Sequence, residues 1–116
     1  MRCGIECVSE YLKLLDVEVS FPISELEHRM TPKGISIYDI INVLEKHCIE
    51  AHVYKCFFVC PKPPFIVYLS RKKHYLLVKK TGLFVELFDN NVGWIKIPVF
   101  IYFFISKRYV IVLDKM

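Results

Sequence analysis

The stretch His74-Tyr75-Leu76-Leu77-Val78-Lys79-Lys80, followed by Thr81-Gly82 and then Leu83-Phe84-Val85-Glu86-Leu87-Phe88, with Asp89 just beyond, reads as two apolar strands joined by a tight turn. Branched and aromatic residues fill both arms, and Thr-Gly between them is turn chemistry. With Thr81-Gly82 as a two-residue turn, Lys80 faces Leu83, Val78 faces Val85, Leu76 faces Leu87 and His74 faces Asp89. Opposed residues hold their Cβ atoms about 4.5–5.5 Å apart on one side of the sheet. The hairpin therefore predicts an imidazole beside a carboxylate at its open end. Leu76, Val78, Leu83, Val85 and Leu87 continue that face as an apolar strip for a helix to cover.

Outward from the hairpin, further strands are predicted at 52–58, 65–69, 93–97 and 109–113, with Pro61-Lys62-Pro63-Pro64 as a rigid loop where prolines cannot donate to a ladder. Residues 98–106 are too aromatic for a free loop and are expected as a short turn or helix packed on the sheet. The first 50 residues carry a different period. Ile5, Val8, Leu12 and Leu15 recur at helical spacing from Cys3 to Leu15, and Phe21-Pro22-Ile23 opens a short second helix ending by Met30. Thr31-Pro32-Lys33-Gly34 is a turn. Ser36, with Asp39 three residues on, caps a third helix whose stripe is Ile37, Ile40, Ile41, Leu44 and Cys48. Three helices followed by an antiparallel sheet of about six strands is a segregated α+β domain, expected to be a single domain over residues 1–116.

Composition narrows the function classes. A hydrophobic share of 54 % and an aromatic share of 15 % exclude a disordered chain, and no apolar run approaches the ~20 residues of a membrane helix. The net charge of +4 is modest. Arg71-Lys72-Lys73 and Lys79-Lys80 read as a solvated turn and strand end, without the stacking motif that nucleic-acid binding needs. Five cysteines and no export leader point to reduced thiols in the cytoplasm. Cys56-x-x-x-Cys60 lacks a second ligand pair at finger spacing, so no metal and no cofactor is expected.

One of those thiols stands apart. Cys3 opens the first helix, where unpaired N–H groups and the positive end of the dipole favour a thiolate. A nucleophile needs a base, and the base an orienting group. His28, His47 and His52 lie at helix ends or a strand start, where a solvated imidazole is ordinary. His74, opposite Asp89, is the candidate base. A helix packed on the strip beside it would bring Cys3 toward the open end of the hairpin.

Arg2-Cys3-Gly4-Ile5-Glu6-Cys7-Val8, the run from Gly34 to Ile40, Pro64-Phe65-Ile66-Val67, His74-Tyr75-Leu76-Leu77-Val78 and Phe88-Asp89, in this order, resemble the bacteriocin-processing cysteine peptidases. These papain-like domains often stand at the N-terminus of ABC exporters. The resemblance implies cleavage of a precursor peptide after a double-glycine leader. Cys3 would be the nucleophile, His74 the base and Asp89 its orienter. It also implies a hydrophobic surface that reads an amphipathic leader helix, a narrow cleft for small residues, and an ABC exporter as a further partner at the cytoplasmic face of the membrane. The sequence departs from the family at three places. Arg2 stands where the family has Asp, Asn90 where it has Pro, and the family's oxyanion-stabilising Gln has no counterpart, since only Met1 and Arg2 precede Cys3. Either the donor lies outside this stretch, or another donor such as the Cys3 backbone N–H with a nearby side chain serves, or the domain docks a peptide or transporter without cutting.

Overall fold

In the computed structural model, residues 2–18, 20–32, 34–55, 62–69, 74–105 and 109–115 are described. Helices α1 (Cys3–Leu14), α2 (Ser20–Arg29) and α3 (Ile37–Lys46) come first. They are followed by β1 (Ile49–Lys55), β2 (Phe65–Leu69), β3 (His74–Lys80), β4 (Phe84–Asp89), β5 (Gly93–Pro98), the short α4 (Val99–Phe104) and β6 (Tyr109–Lys115). This is the segregated α+β order expected. The strands form one antiparallel sheet in the order β1-β6-β2-β3-β4-β5, so the last strand inserts between the first two.

Local chemistry explains several of these elements. The Ser36 hydroxyl accepts from the Asp39 amide at 3.1 Å and donates to the Asp39 carboxylate at 2.9 Å, which starts α3 where the capping pattern predicts. Pro63 and Pro64 have no N–H, so the β2–β6 ladder cannot run past Ile66↔Ile111 in the usual way. The same register carried two residues further sets Pro64 opposite Leu113. There the Tyr11 hydroxyl from α1 substitutes for the ladder, donating to the Pro64 carbonyl at 2.6 Å and accepting from the Leu113 amide at 3.0 Å.

The sheet buries both faces. One face packs Ile66, Tyr75, Leu77, Ile111 and Leu113 against α1, α2 and α3. The other packs Val67, Leu76, Val78, Val85 and Leu87 against Tyr102 of α4.

Five expectations are corrected. The β3–β4 register is not that of a two-residue turn, because Val78 pairs with Leu87 and Leu77 with Phe88, with a shift between Val78 and Lys80. The loop at Thr81 to Leu83 is longer than predicted, and Leu83 is 85 % exposed instead of belonging to the strip. The strip itself is covered by α4, whereas the cysteine-bearing α1 lies on the opposite face against Tyr75 and Leu77. Finally, Cys48 is exposed and Val43 takes its place in the buried stripe. Helix α3 stops at Lys46 and Cys48 adopts a left-handed φ of 62°, so the helical period no longer governs where its thiol points. β1 also begins three residues earlier than predicted. The predicted strand positions 56–58, Pro61, the Arg71-Lys72-Lys73 turn and the Cys56…Cys60 pair lie outside the described residues.

Candidate active site

Helix α1 begins at Cys3 with no side chain capping it, and its first intrahelical bond runs from the Glu6 amide to the Arg2 carbonyl at 2.8 Å. The amides before Glu6 have no intrahelical acceptor, which leaves partial positive charge beside the Cys3 thiol. Arg2, in the cap position, has no acceptor to offer them. Its guanidinium instead binds Glu6 at 3.2 Å and Glu27 of α2 at 3.4 Å, and the bonds to Glu27 and then Glu6 tighten its hold on its proton.

Gly4 lets this helix mouth approach β3 closely. A Cβ at Gly4 would lie 2.8 Å from Ile35 Cγ2 and 3.1 Å from the Tyr75 ring. Tyr75 is fixed in turn, its hydroxyl donating to the Ile35 carbonyl at 2.9 Å.

Of the other described thiols, Cys7 is a poor nucleophile. Cys7 is fully buried and donates to the Tyr75 carbonyl at 3.4 Å. Burial pushes its thiol well up, and negative charge at Cys3 and Asp89 adds to that, so Cys7 stays protonated. Cys48 is exposed beyond the far end of α3.

His74 opens β3 and Asp89 closes β4, and the imidazole Nε2 lies 3.0 Å from Asp89 Oδ1. They meet although the predicted register is wrong. The observed pairing, continued along the hairpin, puts Asp89 opposite Leu76 and so diagonal to His74. The slip is two residues, an even number, so His74 and Asp89 keep to one face, and a diagonal neighbour is within reach of a long side chain. With the carboxylate accepting from Nε2–H, the neutral ring presents Nδ1 as its basic nitrogen. Two other histidines also face carboxylates, His52 with Glu50 at 3.0 Å and His47 with Glu25 at 3.4 Å. The His52 pair is about half exposed. The His74 and Asp89 side chains are 18 % and 24 % exposed and line a groove.

That groove, of about 530 Å³, runs from His74 and Asp89 over Leu76 and Leu87 to Ile101 and Phe104 of α4. Apart from the pair its lining is aliphatic or aromatic. Sequence reading placed an aromatic segment here but did not identify it as a groove wall. The available signal was that Phe100, Ile101, Phe103 and Phe104 cannot all face the sheet from one short helix, and all four are indeed exposed. Cys3 sits at the same end of β3, beside Tyr75 on the other face. Among the described residues no hydrogen bond joins it to His74, and no cluster of side chains could hold a metal ion.

The model of the Peptidase C39 family matches residues 1–113. Among solved structures, a double glycine motif protease from an AMS/PCAT transporter, in complex with its leader peptide, superposes with a TM-score of 0.78 at 15 % identity, covering 98 % of this chain and 84 % of that one. The peptidase domain of Streptococcus ComA, a bifunctional ABC transporter of a quorum-sensing pathway, gives 0.75 at 19 % identity, covering 98 % and 91 %. The N-terminal peptidase C39-like domain of a toxin secretion ATP-binding protein from Vibrio parahaemolyticus gives 0.70 at 12 % identity, covering 97 % and 93 %. No curated protein matches the chain in sequence. At these identities the likenesses establish the fold, which is the papain-like one.

Proposed function

Since the chain belongs to the Peptidase C39 family, we propose that it is a cysteine peptidase that removes a double-glycine leader from a precursor peptide, with Cys3 as nucleophile, His74 as base and Asp89 as orienter. The observation that carries this reading is the 3.0 Å bond from His74 Nε2 to Asp89 inside an apolar groove, at the end of β3 where the uncapped mouth of α1 presents Cys3.

The chemistry follows from those groups. Nδ1 of His74 takes the thiol proton, and the sulfur attacks the carbonyl carbon of the second glycine, forming a C–S bond and an oxyanion. Backbone amides at the start of α1 are the available donors to that oxygen. The imidazolium then protonates the leaving nitrogen and the C–N bond breaks, leaving a thioester. Water, deprotonated by His74, hydrolyses it to the leader carboxylate and the free thiol. Asp89 holds the ring with Nδ1 forward and stabilises the imidazolium. The groove toward α4 supplies apolar surface for a leader, and a neighbour of the same fold is solved with a leader peptide bound. Two neighbours come from transporter proteins, one of them an ABC transporter, which supports an ABC exporter as partner and the cytoplasmic face of a membrane as the place of action. Among the described residues no helix is long and apolar enough to cross a membrane.

One observation favours a second reading, a domain that docks a leader without cutting it: no hydrogen bond links Cys3 to His74 among the described residues. Catalytic hydrogen bonds are often long before substrate binds, so the two readings separate in solution. A precursor with a double-glycine leader is incubated with wild type and with Cys3→Ala, cleavage is followed by mass, and binding by titration. Cleavage after the second glycine by wild type alone, with binding kept by the variant, supports the peptidase. Binding without cleavage by either protein supports the docking domain.

A further inference from the structure

The turn from β4 to β5 touches Asp89 in a way the triad reading leaves unused. Asp89 Oδ1 accepts from His74 Nε2 at 3.0 Å and also from the backbone amide of Asn91 at 3.0 Å. The Asp89 carbonyl accepts from the Val92 amide at 3.1 Å, and Gly93, at φ 85°, turns the chain into β5. The carboxylate is therefore held from below by its own turn, an arrangement typical of Asp at the start of a tight connection. A carboxylate free to rotate about its last torsion can offer either oxygen in many directions. With the Asn91 amide bound, one oxygen is presented to His74 along one direction.

We propose that the backbone amide of Asn91 is a positioning group, acting through Asp89 to hold the His74 ring with Nε2 toward the carboxylate and Nδ1 toward the thiol. The assignment rests on the peptidase reading for its consequence in turnover, and on the geometry alone for its consequence at His74. Asn91 is exposed and its side chain takes no part, so the identity of residue 91 matters only through its N–H. Asn91→Ala keeps the N–H and Asn91→Pro deletes it.

Two readouts test this. In proton NMR, the Nε2–H of His74 hydrogen-bonded to a carboxylate appears as a downfield resonance slow to exchange with solvent, assigned by its loss in His74→Gln. Wild type and Asn91→Ala are expected to show it, and Asn91→Pro to lose it or broaden it. In precursor cleavage, Asn91→Pro is expected to lower kcat about tenfold, the scale of one charge-assisted hydrogen bond, with KM unchanged and Asn91→Ala unaffected. Should Asn91→Pro fail to fold, Asp89→Glu serves, since the longer side chain cannot satisfy both the Asn91 amide and His74 from one oxygen. It is expected to lose the same resonance. A resonance that persists in the folded Asn91→Pro protein, or in Asp89→Glu, overturns the proposal. If wild type shows the resonance but cleaves no precursor, the peptidase reading fails while the resonance in the variants still decides the role of Asn91.

Discussion

Replacing Gly4 by alanine adds one methyl group at the point where α1 comes closest to the sheet. In a helix that change is ordinarily favourable by up to about 1 kcal/mol, and less in the first turn. Here the new carbon would stand 2.8 Å from Ile35 Cγ2 and 3.1 Å from Cδ2 and Cε2 of Tyr75. Neither neighbour yields cheaply. Ile35 is buried and β-branched, hence stiff at χ1, and the Tyr75 ring is anchored by its hydroxyl bond to the Ile35 carbonyl. Overpacking of this kind costs about 1–3 kcal/mol, so the net effect is a destabilisation of roughly 1–2 kcal/mol. At about 2.1 cal/mol/K of unfolding entropy per residue, each kcal/mol lowers Tm of a chain this size by about 4 °C. Relief comes by the helix mouth backing away from β3, so Cys3 moves from the His74 end and cleavage falls more than stability does. Thermal unfolding and precursor cleavage of Gly4→Ala check both halves. A Tm equal to or above wild type would show that the contact is slack and that Gly4 is not required there.

Further outcomes are expected from the same structure. Asp89→Asn removes the charge that orients and stabilises His74 and should lower kcat by about 10²-fold or more by analogy with other triads, with the folded state retained in circular dichroism. Phe104→Ala removes an 87 % exposed ring from the groove wall, so Tm should stay within a degree or two while leader affinity measured by titration weakens severalfold. Asn90 Oδ1 is buried with no hydrogen-bond partner among the described residues, so Asn90→Ala should leave stability unchanged or raise it by about 1 kcal/mol in denaturant unfolding. Burial pushes the Tyr11 hydroxyl up from its ordinary 10 to about 12 and raises Tyr75 as well. An unfolded chain ionises these groups first, so their contribution is intact below about pH 10 and is lost as pH rises toward 12. Alkaline unfolding of wild type against Tyr11→Phe should show a shallower loss over that window in the variant.

Much of this was legible because several signals agreed. β2 and β3 are runs of branched and aromatic residues, and the Ser36…Asp39 pair marks a helix start by its own hydrogen bonds. The pairing of His74 with Asp89 survived a wrong register for a physical reason: a slip of two residues preserves the face, whereas a slip of one would have sent Asp89 to the far side. The face on which α1 packs was not legible, because β3 is apolar on both sides, with Tyr75 and Leu77 on one and Leu76 and Val78 on the other. Periodicity cannot choose between two buried faces. Cys48 was misplaced because a left-handed residue ends a helix without any glycine to announce it. The Asn91 contact is made by a backbone amide and has no sequence signature beyond the Asp that begins the turn.

The most direct test of Cys3 as the nucleophile is covalent capture by a leader peptide ending in a Gly-Gly chloromethyl ketone, with the modified residue located by peptide mass mapping. One adduct per chain is expected, on Cys3, formed faster than any reaction at the exposed Cys48 and suppressed by excess unmodified leader. An adduct distributed over the thiols, or one on Cys48 with Cys3 untouched, would contradict Cys3 as the nucleophile.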